Sequence, residues 1–376
     1  MDPLDEVLEG HHATAYVAVG SSLDGDIRYL TQFRVSDPII FIKKKGAPGA
    51  IVVSSMEYER AQRESIAQVI SRNEAGFFEY LKEDPNNRPR ATARMIASLS
   101  GGEVVVPANF PLGLARELEA FCQVTVDRDA VQGMRAVKSS WEIAQIRKVQ
   151  NAAEAAMAIA IGLIERSRPS QGILILDGHS LTSERVKVAI HTRLIEQGCT
   201  ARDTIVSCGT DSALPHHTGA GPLLPHEPII IDLFPQDEAT GYYADMTRTV
   251  CHGEPSPDIV EMYWAVKEAK KITANAIRDG VSGADLHLKV VQFLSDQGYE
   301  SNSQGFMHNL GHGIGLDVHE KPVLGPGGDL LKPGNVFTLE PGLYYHEKGG
   351  VRLEDVGCIV NGGFEQFTKF EERLVV

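Results

Sequence analysis

Four carboxylates in the C-terminal part of this chain stand at nearly matched spacings. Asp232 ends the apolar run PIIID, and Asp245 follows thirteen residues on, in YADMTRT. Glu340 ends VFTLE, and Glu354 follows fourteen residues on, in VRLED. Each pair brackets a turn, FPQDEATG in the first and PGLYYHEKGG in the second. If each pair belongs to a hairpin, its two side chains come within roughly 5 Å across the strands. Two such hairpins face to face gather four acidic groups, and the repeat predicts two related halves about a pseudo-twofold axis. Carboxylates so gathered raise one another's pKa unless positive charge sits among them. Hard oxygen donors joined by an imidazole suit one or two divalent cations such as manganese, cobalt or zinc.

An imidazole is at hand in FMHNLGHGIGLDVHE, residues 306–320, where three histidines stand among three glycines. His312, between Gly311 and Gly313, is the natural ligand, because glycine lets the backbone come close to a metal without a Cβ clash. His308 and His319 then lie beside the metal, free to bind substrate or move protons. Singly, each residue says less: an acid at a strand end is most often a solvated turn residue. The helical HExxH zinc motif is not the template, since these glycines disfavour a helix.

The elements that must position these residues follow from pattern. At 376 residues the chain is long for one domain, and two are expected. A formal net charge of -14 argues against DNA or RNA as a partner. Five dispersed cysteines without CxxC spacing fit reduced thiols in a cytoplasmic protein. The acidic start MDPLDEVLEG lacks the blocks of a signal peptide, and the longest apolar run, 155–164, is too short for a bilayer, so no membrane partner is expected.

Residues 1–130 read as a smaller α/β domain. AYVAV (15–19), PIIFI (38–42), AIVVSS (50–55) and GGEVVVP (101–107) are strand-like, KKKGAPG is a hairpin turn, and MEYERAQRESIAQVI (56–70) reads as a helix. It holds no Gly-rich phosphate loop and no cluster of catalytic residue types, so a structural or oligomerisation role is expected. Residues 131–376 open on a capping box, Ser139 with Glu142, ahead of a long helix. Helices over 182–197, 256–277 and 282–297 follow, the first and last closed by Gly198 and Gly298, the middle one with Pro257 in its first turn. Strand-like segments between them make this second domain α+β.

GYYADMTRT, HNLGHGIGLDVHE, TLEPGLYY and GVRLEDV, together with the linker-like MRAVKSSWEIAQIRKV, resemble the pita-bread metallopeptidases that include Xaa-Pro dipeptidase (prolidase) and Xaa-Pro aminopeptidase. The resemblance covers essentially the whole length. It implies a pita-bread catalytic domain over 131–376 behind a creatinase-like amino-terminal domain over 1–130. It also implies a homodimer in which the first domain limits substrate length at the partner's site. Two metal ions, manganese ahead of cobalt or zinc, would be held by Asp232, Asp245, His312, Glu340 and Glu354. In the family's scheme Asp245 and Glu354 bridge the ions, Asp232 chelates one, and His312 and Glu340 complete the set. A hydroxide between the ions would attack, and Glu340 would pass its proton to the leaving proline nitrogen. His319 would steady the carbonyl and the developing gem-diolate. His308, and His216 in ALPHHTG, would touch substrate. Arg352, on the same strand face as Glu354, would orient the ligand carboxylates.

The activity so implied is hydrolysis of the Xaa-Pro bond in short proline-containing peptides, dipeptidase ahead of aminopeptidase. That bond has no amide hydrogen and carries a bulky ring, which general peptidases fit poorly. An inactive peptide- or protein-binding relative is the reading from another class; such relatives typically lose a ligand, and this chain keeps all five. Creatine amidinohydrolase works without metal and does not keep this ligand set, and methionine aminopeptidase usually lacks a first domain of this size. Two departures stand out. The Asp232–Asp245 interval is longer than in many relatives, with LFP where a glycine-containing turn is common, and RPSQGILILDGHSLTSERV looks extended. Both are expected to reshape the substrate entrance.

Overall fold

A computed structural model describes residues 2–360 and 363–376. The chain divides into two compact units, Met1–Arg135 and Ala136–Val376. The first is built on a six-stranded mixed sheet in the order Gln68–Ser71, Gly49–Val53, Ile39–Lys44, Ala15–Gly20, Glu103–Pro107, Gln123–Asp127. Its strands obey the two-residue period. Tyr16, Ala18, Phe41, Ile51, Val53 and Val105 pack into one core, while Ala15, Val17, Ile40, Ile42, Val52, Val104 and Val106 pack into another on the opposite face.

The helix expected over 56–70 is shorter than its pattern. It runs from Tyr58 to Glu64, Ser65 turns extended, and Gln68–Ser71 pairs in parallel with Gly49–Val53. Val69 and Ile70 are β-branched and fit a pleated sheet edge better than a helix. Helix Ala130–Ala136 closes this unit: Val131 joins its core, and Arg135 Nη1 donates to Asp26 Oδ1 at 2.6 Å.

In the second unit the same order of elements occurs twice. Helices Ser140–Arg166 and Ser183–Ile195 share a core with the three-stranded sheet Ile205–Cys208, Ile229–Leu233, Met246–Val250. Helices Pro257–Ala276 and Gly283–Asp296 share another with a five-stranded sheet ordered Glu320–Leu324, Gly311–Gly313, Val336–Leu339, Asp355–Val360, Gly363–Gln366. The expected capping box is present, with Ser139 Oγ accepting from the Glu142 amide and Glu142 Oε2 accepting from the Ser139 amide. Along that helix Val149, Ala152, Ala153, Ala156, Met157, Ala160 and Ile164 recur three or four residues apart and form one apolar stripe. Ile229, Ile231 and Leu233 meet the same core, so alternation turns Ile230 and Asp232 to the other face.

Asp232 lies opposite Thr247 in the antiparallel pairing of Ile229–Leu233 with Met246–Val250. The second pair of carboxylates brackets a broken hairpin. Val336–Leu339 pairs with Asp355–Val360, Gly342–Tyr345 pairs with Gly349–Arg352, and Glu340 and Glu354 fall in the gaps between these two ladders. Pro341 cannot donate a ladder hydrogen bond and marks one gap. The long segment after the first helix folds into three short strands, Arg168–Ser170, Ile173–Leu176 and His179–Ser180. No helix among the described residues is long and apolar enough to cross a membrane, and the five cysteines are free.

Candidate metal centre

Asp232 is held inside a strand, Asp245 immediately precedes Met246–Val250, and His312 is the middle residue of Gly311–Gly313. The glycines around His312 serve neighbouring strands. A Cβ at Gly311 would lie 2.0 Å from the Thr338 carbonyl oxygen, and one at Gly313 would lie 2.1 Å from that of Lys321. Glycine is needed there so that other backbone can approach, which differs from the expected reason, approach of this backbone to a metal.

One donor atom from each of Asp245, His312 and Glu354 lies within 4.8 Å of the others. His312 Nε2 is 3.3 Å from Glu340 Oε1 and 3.9 Å from Asp245 Oδ2. With His312 Nδ1–H donating to the Gly313 carbonyl at 3.1 Å, Nε2 keeps its lone pair for a ligand. Asp232 Oδ2 accepts from Arg352 Nη2 at 2.6 Å. Asp232 Oδ1 and Asp245 Oδ1 are buried and have no hydrogen-bond partner among the described residues. A buried acceptor without a donor is costly, and two of them beside an imidazole nitrogen fit a hard divalent cation.

The electrostatics agree with that fit. Burial, then the charges of Glu354, Asp232 and Glu340, hold Asp245 well above the usual carboxylate range. Burial with Glu340 and Asp232 does the same to Glu354, and burial raises Glu340. Burial pushes His308, His312 and His319 down, toward the neutral imidazole that ligation or proton transfer requires.

A single cavity of about 580 Å³ is lined by every residue the sequence singled out: Asp232, Asp245, His312, Glu340, Glu354, His216, His308, His319 and Arg352. The His319 ring sits 4.1 Å from that of His312. His308 Nε2 is 2.9 Å from the Tyr344 hydroxyl, and its Nδ1 is 2.7 Å from the Asn309 carbonyl oxygen. Of the two departures noted above, only the first reaches this space: Phe234 lines the cavity, and the segment 168–186 contributes nothing to it.

Sequence reasoning missed the groups that tie the halves together. Thr247 Oγ1 donates to Glu354 Oε2 at 2.7 Å and accepts from Arg352 Nε at 3.1 Å. Thr249 Oγ1 donates to the Arg352 carbonyl and accepts its amide. Tyr344 accepts from Arg352 Nη1 at 2.7 Å. Alternation in ADMTRT, which puts Asp245, Thr247 and Thr249 on one face, was the available signal for the threonines. Lys138 Nζ donates to Glu320 Oε1 at 2.6 Å, both side chains buried, and so pins the residue after His319.

The chain matches the model of metallopeptidase family M24 over residues 144–361. It is 30% identical over 253 residues to a Xaa-Pro dipeptidase of Lactobacillus delbrueckii subsp. lactis, a match spanning 66% of this chain and 64% of that relative. A prolidase from Pyrococcus horikoshii OT3 superposes with a TM-score of 0.83 at 25% identity, covering 99% of this chain and 98% of that one. An X-Pro aminopeptidase from Thermotoga maritima MSB8 superposes with a TM-score of 0.80 at 25% identity, covering 99% of this chain and 100% of that one. With the repeated helix-and-sheet halves and the carboxylate-histidine cluster between them, these likenesses place the chain in metallopeptidase family M24, with the pita-bread fold.

Proposed function

We propose that the chain is a dipeptidase cleaving the Xaa-Pro bond, with two divalent cations held by Asp232, Asp245, His312, Glu340 and Glu354. The observation that carries this reading is the convergence of those five side chains, two with orphaned buried oxygens, on one cavity shared with His319 and His308. Its likeness to a Xaa-Pro dipeptidase and a prolidase supports the substrate class. When bound, divalent cations supply charge that polarises the scissile carbonyl and acidifies a water.

The chain's own groups do the rest. Glu340, raised by burial, is suited to take a proton and hand it to the leaving proline nitrogen. His319, kept neutral by burial, offers a ring N–H to the carbonyl oxygen as negative charge develops. His308 is oriented by Tyr344 and the Asn309 carbonyl, and His216 shares the cavity on the substrate side. Arg352 holds Asp232 in place. Manganese as the cation, a homodimer and a cytoplasmic location belong to the same reading; they rest on the family resemblance and, for the last, on the free cysteines.

The second reading is an Xaa-Pro aminopeptidase, favoured by a likeness to the T. maritima enzyme at the same 25% identity as to the P. horikoshii prolidase. The test is hydrolysis of Leu-Pro beside a Leu-Pro-Xaa tripeptide, after chelation and again with manganese restored. Metal-dependent cleavage of the dipeptide alone is expected. Cleavage of the tripeptide as well would establish the aminopeptidase. Cleavage of neither would leave the peptide-binding relative. A narrower expectation concerns His319→Ala: metal content stays at the wild-type level while kcat falls by about 10²–10³. Elemental analysis with steady-state kinetics checks it, and loss of metal in that variant would move His319 into the ligand set.

A further inference from the structure

One corner of the cavity is used by neither the proposed ligands nor the histidines. Strand Ile205–Cys208 pairs antiparallel with Ile229–Leu233, and Ile205 faces Asp232. Two residues past that pair, just outside the ends of the two strands, stand Asp203 and Phe234, and both line the cavity. Asp203 takes a φ of 53°, in the left-handed region that few non-glycine residues enter, so the chain leaves the ladder there. The residue is exposed, and its carboxylate makes no hydrogen bond or ion pair among the described residues.

The supports on both sides are firm. Thr204 Oγ1 is 2.9 Å from His191 Nε2, and the Val206 amide donates to the Thr218 carbonyl. After half-buried Phe234, the Pro235 carbonyl accepts from the Ala244 amide, and Asp237 binds Lys148 Nζ at 2.6 Å while capping the Thr240 amide. The backbone on either side of both residues is therefore held in place.

An aromatic ring and a carboxylate lining one cavity suit a side chain with an apolar stem and a cationic head. The stem lies along the ring, the ring face attracts the cation, and the carboxylate meets the charge. It does not suit the carboxyl end of a dipeptide, whose own negative charge Asp203 would repel. We propose that Asp203 and Phe234 form the pocket for the Xaa side chain and that they select lysine or arginine there. This inference rests on the Xaa-Pro reading above.

The experiment measures kcat/KM of the metal-loaded full chain on Lys-Pro, norleucyl-Pro and Glu-Pro, for wild type, Asp203→Asn and Asp203→Lys, with metal content determined in each. Norleucine has the lysine stem without its charge. Wild type is expected to favour Lys-Pro over norleucyl-Pro by about five- to tenfold, with the ratio shrinking in high salt. Asp203→Asn brings the ratio toward one, and Asp203→Lys shifts the preference toward Glu-Pro. Equal losses on Lys-Pro and norleucyl-Pro in Asp203→Asn would mean that the carboxylate serves the α-ammonium group, and would overturn the proposal. A wild type that cleaves norleucyl-Pro without favouring Lys-Pro would also overturn it, while leaving the Xaa-Pro reading intact. A wild type that cleaves no Xaa-Pro dipeptide would sink that reading and this inference together.

Discussion

Asp245→Ala and Glu354→Ala are each expected to strip the protein of divalent metal and to abolish turnover of Xaa-Pro peptides. Both side chains are buried, and with His312 they form the one group of clustered donors found among the described residues. Loss of a partner outside the ligand set commonly weakens metal binding by about 10–100-fold, so loss of a ligand should cost at least about 100-fold. Elemental analysis after dialysis reads this directly, and full activity in either variant would overturn the assignment. A second readout separates the effect from misfolding. Asp245→Asn and Glu354→Gln keep size but remove one of several carboxylates that repel one another. Without metal, these two variants are expected to melt above the metal-free wild type. Added manganese should then raise the melting temperature of wild type far more than theirs, because a ligand stabilises only the fold that binds it. A wild type that melts highest with or without metal would argue that the acids are a structural cluster.

What could be read from the chain in advance was local. The apolar alternation of PIIID and the stripe in the long helix report which face is buried, and both elements are present with Asp232 turned to the other face. The period cannot say which distant strand covers that face. Thr247 and Glu354 stand more than a hundred residues apart, as do Lys138 and Glu320, and only the closing of one half on the other brings them together. The helix expected over 56–70 failed for a related reason: its end, Gln68–Ile70, belongs to a sheet-edge strand, and that edge outweighs helical periodicity. The second hairpin kept its two acids but not its continuity, because Glu340 and Glu354 sit where one ladder hands over to another. Matched spacing therefore pointed to acids that line one cavity, and was a poor guide to the strands that carry them.

Arg352→Met is expected to be the most destabilising single change in the site, and Arg352→Lys is expected not to rescue it. The guanidinium is buried and spends its donors on Asp232 Oδ2, the Tyr344 hydroxyl, Thr247 Oγ1 and the Pro215 carbonyl. Removing it leaves Asp232 as an uncompensated buried charge, a change that typically costs about 3–5 kcal/mol. Lysine brings back a charge but not the planar fork, so Tyr344 and Thr247 stay unserved, and through Tyr344 the set of His308 is loosened. Urea unfolding of the metal-free protein measures the cost. Pairing the change with Asp232→Asn tests its cause, since the double variant should lose clearly less stability than the two single losses combined. Bound divalent metal supplies other positive charge near Asp232, so the penalty is expected to shrink when manganese is present. A loss below about 1 kcal/mol, the range of an exposed ion pair, would mean that water reaches Asp232 and that Arg352 does not hold it. A full loss that is additive with Asp232→Asn would instead place the role of Arg352 in packing against Tyr344.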